Sequence, residues 1–396
     1  MPTLAQKKDC TGCAACFNAC NHGCLEMKRN EEGFEYPQID LDRCVECKLC
    51  ERSCPVVTPL ENRNSDSPQA YAVWNNTDRT VSSSGGAFSS FARYVIAQGG
   101  IVYGTAFDNN LHLCHQGVET VEGLVPLRGS KYVQSEIGNV YKDIRKYLHT
   151  GRWVLFCGTP CQVAGLKDYL HKDYNHLVLL DLACHGVPSD SVWQSYLQKL
   201  TERFAGVRPS AFEFRRRNGW GFAPSVSFHQ KLRPIYGVDA LYMEAFDKSA
   251  LFRECCYHCP YAQPQRVGDC SLADFWGLGR YGVPFKHDVM KGVSLVLANN
   301  EKGERLMRQL KDTFLEERTL KEALAENANL NRPSPMNPRR NEIIAAFLDK
   351  NKSLEAIDKE FHLVNHSIKE TVKMYASKWH LFEIVKRMYN FYKSHR

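Results

Sequence analysis

The chain has no apolar run long enough to cross a bilayer and no low-complexity tract. Its opening residues, MPTLAQKKDC, carry no apolar stretch of the kind that directs secretion. These absences argue against a membrane-spanning or secreted protein, and a cytoplasmic location is expected. Neither sign of charge dominates: the net charge is +7 over 396 residues, and no base-reading motif accompanies it, so nucleic acid is not expected as a partner. The rest of the composition is ordinary globular, with 43% hydrophobic and 24% charged residues. The length suffices for a small N-terminal module and one or two further domains. Cysteine, by contrast, is abundant, at 17 residues. In a reducing compartment such thiols go to metals rather than disulfides.

Eight of the cysteines fall within the first 54 residues, in two runs of identical spacing. The first is Cys10-x₂-Cys13-x₂-Cys16-x₃-Cys20; the second is Cys44-x₂-Cys47-x₂-Cys50-x₃-Cys54, followed by Pro55. In the bacterial ferredoxin pattern three cysteines of such a run hold one 4Fe–4S cube and the fourth ligates the other cube. The spacing therefore predicts one cluster on Cys10, Cys13, Cys16 and Cys54 and another on Cys44, Cys47, Cys50 and Cys20. Paired C-x₂-C also reads as zinc, but a zinc site has no use for a third cysteine at x₂ followed by x₃-Cys. The first run lacks the proline of the second, having Asn21 after Cys20.

Beyond the cysteine runs, residues 56–69 are polar and aperiodic and read as a linker. A strand is expected at 70–74, then Ser82-Ser83-Ser84-Gly85-Gly86, a helix over 87–98 and a strand over 101–107. A helix is expected over 139–150. Two further units follow: strand 153–156, turn 157–159 and helix 160–170; then strand 176–183, turn 184–188 and helix 189–204. Thr159 and Ser189 stand as caps, with Pro160 at a first-turn position. Both turns set a cysteine at the carboxyl end of a strand, where α/β folds place ligands. From Glu301 onward the pattern is mostly helical.

The remaining cysteines gather in turns: Cys157 and Cys161 in CGTPC, Cys184 in CHGVPS, and Cys255, Cys256 and Cys259 in ECCYHCPY. Cys161, Cys184, Cys256 and Cys259 are the best set for a third cluster, with Cys157 and Cys255 as substitutes. A redox-active dithiol at Cys157 and Cys161 is the weaker rival, because the spacing is not C-x-x-C. Cys24, Cys114 and Cys270 read as buried small hydrophobes. Ser82–Gly86, opening a helix, can receive phosphate through its amides and hydroxyls. A second donor-rich stretch is 129–135, GSKYVQS. A third candidate is 214–221, FRRRNGWG, where three arginines can hold an acidic group or simply face water.

Together these motifs resemble the beta-subunit family of coenzyme F-420 hydrogenases and dehydrogenases. The match runs in order through the paired cysteine runs, SSSGGAF at 82–88, GSKYVQS at 129–135, GTPCQVAGLK at 158–167, DLACHGVPS at 181–189, FRRRNGWG and CCYHCPYAQPQRVGDCSLADFWG at 255–277. It departs at Arg217, where lysine is commoner, and at Cys255, an added thiol. The resemblance, which spans about residues 1 to 285, implies an α/β flavin-binding core preceded by a small α+β bacterial-type dicluster ferredoxin domain; the pattern from Glu301 adds a helical C-terminal extension. The expected boundaries are 1–60, 70–150 and 151–300 for the ferredoxin domain and the two parts of the core, and 301–396 for the extension. It implies FAD contacts at Ser84, Gly85, Gly86, Ser130, Lys131, Tyr132, Gln134 and Ser135, and supports the third-cluster set.

The implied activity is transfer of electrons between 4Fe–4S clusters and FAD, and of hydride between FAD and a small organic partner such as the deazaflavin coenzyme F-420. The alternative is a non-catalytic electron-transfer subunit of a larger complex. A ferredoxin or a hydrogenase or dehydrogenase subunit is the expected protein partner. No catalytic acid or base is named by the sequence. Residues 361–396 carry seven Lys/Arg against two Asp/Glu, and their apolar residues roughly follow helical spacing. This reads as a docking helix for an acidic partner or an anionic membrane surface, or equally as a terminal helix packed on its own domain.

Overall fold

The computed structural model describes residues 1–215, 224–228 and 231–364. The duplicated cysteine spacing produces a duplicated backbone. Helices α1 (Ala15–Ala19) and α2 (Leu49–Arg52) each start after a left-handed residue, Ala14 and Lys48, with the same φ of 58° and ψ of 16°. Both residues directly follow the second cysteine of their run. The hairpin of β1 (Leu25–Arg29) and β2 (Glu35–Ile39) joins the two halves, with Leu25 opposite Ile39. Residues 56–68 are irregular, as a linker should be, yet tied down: Asn64 Nδ2 donates to the carbonyls of Arg266 and Gly268 at 2.9 and 2.8 Å.

The core is built on eight strands, among the described residues, in the order β13-β3-β12-β11-β7-β6-β4-β5. They are β3 (Gln69–Asn75), β4 (Ile101–Phe107), β5 (Leu113–Val118), β6 (Val154–Gly158), β7 (Leu177–Leu182), β11 (Cys270–Asp274), β12 (Ser294–Ala298) and β13 (Thr313–Arg318). The central four, β11-β7-β6-β4, are parallel, and antiparallel pairs flank them on both sides. Val154, Leu155 and Phe156 of β6 and Leu177 to Leu180 of β7 are all buried, the continuous apolar run that a doubly covered parallel strand requires. A separate antiparallel sheet is formed by β8 (Ala211–Glu213), β9 (Ser225–Phe228) and β10 (Lys231–Pro234).

The helices cover both faces. On one side α3 (Ala87–Ala97) buries Phe91, Ala92 and Val95 with Leu306 and Met307 of α8 (Glu301–Gln309). On the other, α4 (Val140–His149) and α5 (Pro160–Leu170) pack Ile144, Leu148, Val163 and Leu166 together with Ala14, Ala15 and Ala19 of the ferredoxin domain. That domain is therefore seated in the core's own apolar layer. A third cluster surrounds Trp193 of α6 (Asp190–Arg203), with α7 (Leu241–Asp247), α10 (Arg340–Leu348) and α11 (Leu354–Phe361).

The sequence-derived caps form. Gln162 Oε1 accepts from Thr159 N at 3.1 Å, and Ser189 Oγ accepts from Val192 N at 3.2 Å. Two expectations change. Cys157 and Gly158 continue β6 rather than turning, because the strand pairs with β7 as far as Gly158–Asp181. The region from 301 does not begin a purely helical extension: α8 and then β13 complete the core, with Phe314 stacked on Trp74 of β3 at 3.6 Å between ring centroids. Short helix α9 (Leu320–Ala325) follows. The basic C-terminal stretch from 365 and the arginine run at 216–221 lie outside the described residues. Among the described residues no helix is long and apolar enough to cross a membrane.

Candidate functional site

The cysteines collect into three groups. Cys10, Cys13, Cys16 and Cys54 line one small cavity of the N-terminal domain. Cys20, Cys44, Cys47 and Cys50 line a second, and Cys24 joins them, its Sγ 3.4 Å from that of Cys20. The groups differ in access. The first set is buried throughout, whereas Cys47 is exposed to solvent. Burial pushes the Cys13 thiol up to about 12, reinforced by Cys54 and Cys10. Thiols held this way become ligands only if a cation among them stabilises the thiolates. Among the described residues no three His, Cys, Asp or Glu side chains converge on a point where a single ion would sit. Each set lines a small cavity of its own instead.

The third group is assembled from three turns. Cys161 enters at the first turn of α5, Cys184 follows β7, and Cys255, Cys256 and Cys259 lie in and just after the short 3₁₀ helix Glu254–His258. Burial raises Cys161, and Cys259, Cys184 and Cys255 add to the shift; Cys256 is raised by its hydrogen bond with Cys255, then by burial, with Cys184 and Cys161 contributing. Burial pushes Cys184 up to about 12. Cys255 is shifted downward, first by its hydrogen bond with Cys256 and then by Arg253. Cys157 stands apart from this group, with Asp181 and Lys131 as its charged neighbours.

Two buried contacts hold these turns. Arg266, 1% exposed, pairs with Asp181, 0% exposed, at 2.7 Å, and also donates to the carbonyls of Leu182 and Tyr261. Asp181 Oδ2 accepts from Gly268 N at 2.8 Å. This fixes the loop after Cys259 onto the end of β7 just before Cys184. Gly165 of α5 lies against Cys13, since a Cβ there would sit 2.8 Å from the sulfur. The helix that carries Cys161 in its first turn thus runs directly past the buried ferredoxin set.

At the carboxyl ends of the parallel strands lies a cavity of about 280 Å³. Of the residues expected on the flavin, Ser84, Gly86, Ser130, Lys131, Tyr132 and Ser135 line it. The two loops that carry them are joined by the Ser130 N–H, which donates to Ser83 Oγ at 2.8 Å. Lys131 Nζ lies between the carbonyls of Leu127, Arg128 and Gly129 at 2.9 to 3.2 Å. Gly85 and Gln134 are placed elsewhere. A side chain at Gly85 would meet the Val73 carbonyl at 2.2 Å, so this glycine serves close packing on β3. Gln134 turns to the ferredoxin domain and donates to the Thr11 carbonyl at 3.0 Å.

Among the polar and aromatic lining residues that carry no expectation from the sequence are Asp274 and Trp276 at the end of β11, and Asn327. Asp274 is ion-paired with Arg215, the first arginine of the expected basic run and itself a lining residue. Asp274 and Trp276 stand in the LADFWG motif, which offered a signal; Asn327 lies beyond every motif and offered none. Cys184 and His185 line the cavity too, and burial shifts the His185 imidazole downward. The cavity wall and the third cysteine group therefore share a residue.

Residues 151–323 match the family described as the C terminus of the coenzyme F-420 hydrogenase/dehydrogenase beta subunit, and residues 9–57 match the 4Fe–4S dicluster domain. Over 52 residues the chain is 33% identical to an uncharacterized ferredoxin of Methanocaldococcus jannaschii, covering 13% of this chain and 66% of that protein, just under two thirds of its length. Among solved structures, a chain of the xenon-derivatized F-420-reducing NiFe hydrogenase complex from Methanosarcina barkeri aligns with a TM-score of 0.43 and 15% identity, covering 74% of this chain and 91% of that one. With cysteine-lined cavities at 10–54, the chain thus carries an N-terminal 4Fe–4S dicluster domain at 9–57 and, at 151–323, the C-terminal region of the coenzyme F-420 hydrogenase/dehydrogenase beta-subunit family.

Proposed function

We propose that this protein is an iron–sulfur flavoprotein oxidoreductase that passes electrons between its clusters and FAD, with FAD exchanging hydride with a small organic molecule. The observation that carries the reading is the order of the cysteine groups. They lead from exposed Cys47, through the buried set at Cys13, along α5 to Cys161, and end at Cys184 on the cavity wall. A redox chain requires such a succession from surface to site. Cys10, Cys13, Cys16 and Cys54 would hold the inner ferredoxin cluster and Cys20, Cys44, Cys47 and Cys50 the outer one. Cys161, Cys184, Cys256 and Cys259 would hold a third.

Bound FAD would supply the conversion between single electrons and hydride. The protein's part is to bind and orient it. Ser84, Gly86, Ser130 and Ser135 offer small or hydroxylic surfaces, Lys131 adds a cation, and Tyr132 an aromatic edge. The family description as a beta subunit supports a partner subunit that delivers or receives electrons at the Cys47 face. Coenzyme F-420 is the organic partner that the family name favours.

Anaerobic purification followed by iron, sulfide and flavin assays tests this directly. Lys131→Ala and Gly86→Asp are expected to lower flavin occupancy while far-ultraviolet circular dichroism stays unchanged. Cys259→Ser is expected to remove about four irons, one cube's worth. Flavin retained equally by both cavity variants would mean that these loops serve something else.

A further inference from the structure

Arg253 is fully buried, with 0% of its surface exposed. Its Nε donates to the Cys10 carbonyl at 2.6 Å, one Nη to the Glu35 carbonyl at 2.9 Å and the other to Gln134 Oε1 at 3.2 Å. The guanidinium carbon stands 4.1 Å from the Tyr36 ring centroid and 5.5 Å from that of Phe34. The Arg253 backbone N–H donates to the Val187 carbonyl at 2.9 Å, in the turn that carries Cys184. A Cβ at Gly12, where φ is +68°, would lie 2.8 Å from Nη1, so the first cysteine loop closes directly on the cation.

All these partners are neutral, and among the described residues no carboxylate forms an ion pair with Arg253. A permanently charged group held away from water needs an anion nearby. The ionisable groups that face it most strongly are Cys10, Tyr36, Cys255 and Cys256. As ligands of clusters, Cys10 and Cys256 would supply that negative charge.

The two ferredoxin loops have the same spacing and the same backbone angles at Ala14 and Lys48. An energetic difference between their clusters must therefore come from surroundings. The outer loop faces solvent, with Cys47 exposed; the inner loop faces a buried cation. A fixed positive charge in a water-excluded site favours the more negative, reduced state of whatever it faces.

We propose that Arg253 is the positioning counter-charge of the cluster on Cys10, Cys13, Cys16 and Cys54, raising its reduction potential above that of the outer cluster and so directing electrons inward. The inference rests on the reading of the cysteine sites given above. One electron leaves the outer site and one arrives at the inner site, with no bond made or broken and no proton required.

The test is an electron paramagnetic resonance redox titration of the full-length, anaerobically prepared protein. Arg253→Met is expected to move the midpoint of one ferredoxin cluster to lower potential and leave the other in place, while Arg253→Lys restores it towards the parent value. Gln134→Glu sets a carboxylate against the retained guanidinium with almost no change of shape. It is expected to move the same midpoint in the same direction, and it decides the matter if Arg253→Met does not fold. Unchanged midpoints in the charge-altering variants, or equal shifts of both clusters, would overturn the role of Arg253. A parent protein with no four-iron signal would overturn the reading of the cysteine sites instead.

Discussion

Replacing Asp181 by Asn tests whether a single buried ion pair holds the third cysteine group together. In the parent, Asp181 Oδ1 accepts from Arg266 Nε and Nη2 at 3.1 and 2.7 Å, and Oδ2 accepts from Gly268 N at 2.8 Å. Neither side chain is more than 1% exposed. Asparagine keeps the shape but leaves one oxygen to face two donors, and its amide group opposes another N–H. It also leaves a guanidinium in the interior facing a neutral partner, and arginine does not shed its proton to escape. Breaking a buried pair from one side costs about 3–5 kcal/mol. That is a large share of the ~5–15 kcal/mol that stabilises a typical domain.

Urea unfolding of the anaerobic protein reads this as a lower midpoint at unchanged slope. The iron content tells where the damage lies. Loss confined to about one cube, with the ferredoxin clusters retained, places it at the turns of Cys184 and Cys259. The double variant Asp181→Leu, Arg266→Met removes both charges and is expected to recover much of the loss. Asp181→Asn within about 1 kcal/mol of the parent, below the range for a broken buried pair, would refute this account of how the turns are held.

Two further outcomes follow from the structure. His115 is buried, its Nε2 donates to the Cys157 carbonyl at 3.1 Å, and desolvation lowers its pKa from 6.5 to about 4. The unfolded chain therefore binds the proton first as pH falls, and stability declines from pH 6.5 down to about 4, by about 3 kcal/mol in total; His115→Gln is expected to flatten that part of the stability–pH curve, and an unchanged slope would rule His115 out as its source. Cys47→Ser, at an exposed position, should remove about one cluster's iron without unfolding the chain, whereas zinc and no visible absorbance in the parent would contradict the ferredoxin assignment.

The parts of the site that were legible in the sequence are those set by short-range spacing. The repeated C-x₂-C-x₂-C-x₃-C run dictates a repeated loop, so the grouping of Cys10 with Cys54 and of Cys20 with Cys44 could be read before any coordinates. Thr159, Pro160 and Ser189 announced helix starts because a cap is a local contract between neighbours. Long-range placements were not legible. Gln134 stands in a run with Lys131 and Tyr132, yet its side chain turns away from the cavity towards Thr11. Gly85 is adjacent to Gly86 but faces β3. Cys24 approaches Cys20 only because β1 starts there. The edge strand β13 is half-buried from Thr313 to Glu316, with Glu317 exposed and Arg318 buried, a pattern without the alternation that would distinguish a strand from a helix.

The clasp between Glu32 and Arg340 has a consequence for how the protein is made. Glu32 receives both Nη groups of Arg340, at 2.5 and 2.8 Å, across 308 residues of sequence. At a synthesis rate of ~5–20 residues per second, Arg340 is joined to the chain some 15–60 seconds after Glu32. For most of that interval the first sixty residues have been made while parts of the surfaces that receive them are still to be translated. Phe34, with 1% exposure in the finished protein, lacks its core neighbours from α10 throughout that time, and those from α6 for the first half of it. Iron and sulfide delivered during synthesis would meet the first cysteine loop before Arg253 and Arg340 exist to cover it. Docking of the finished core then acts as the step that shuts the inner site from water.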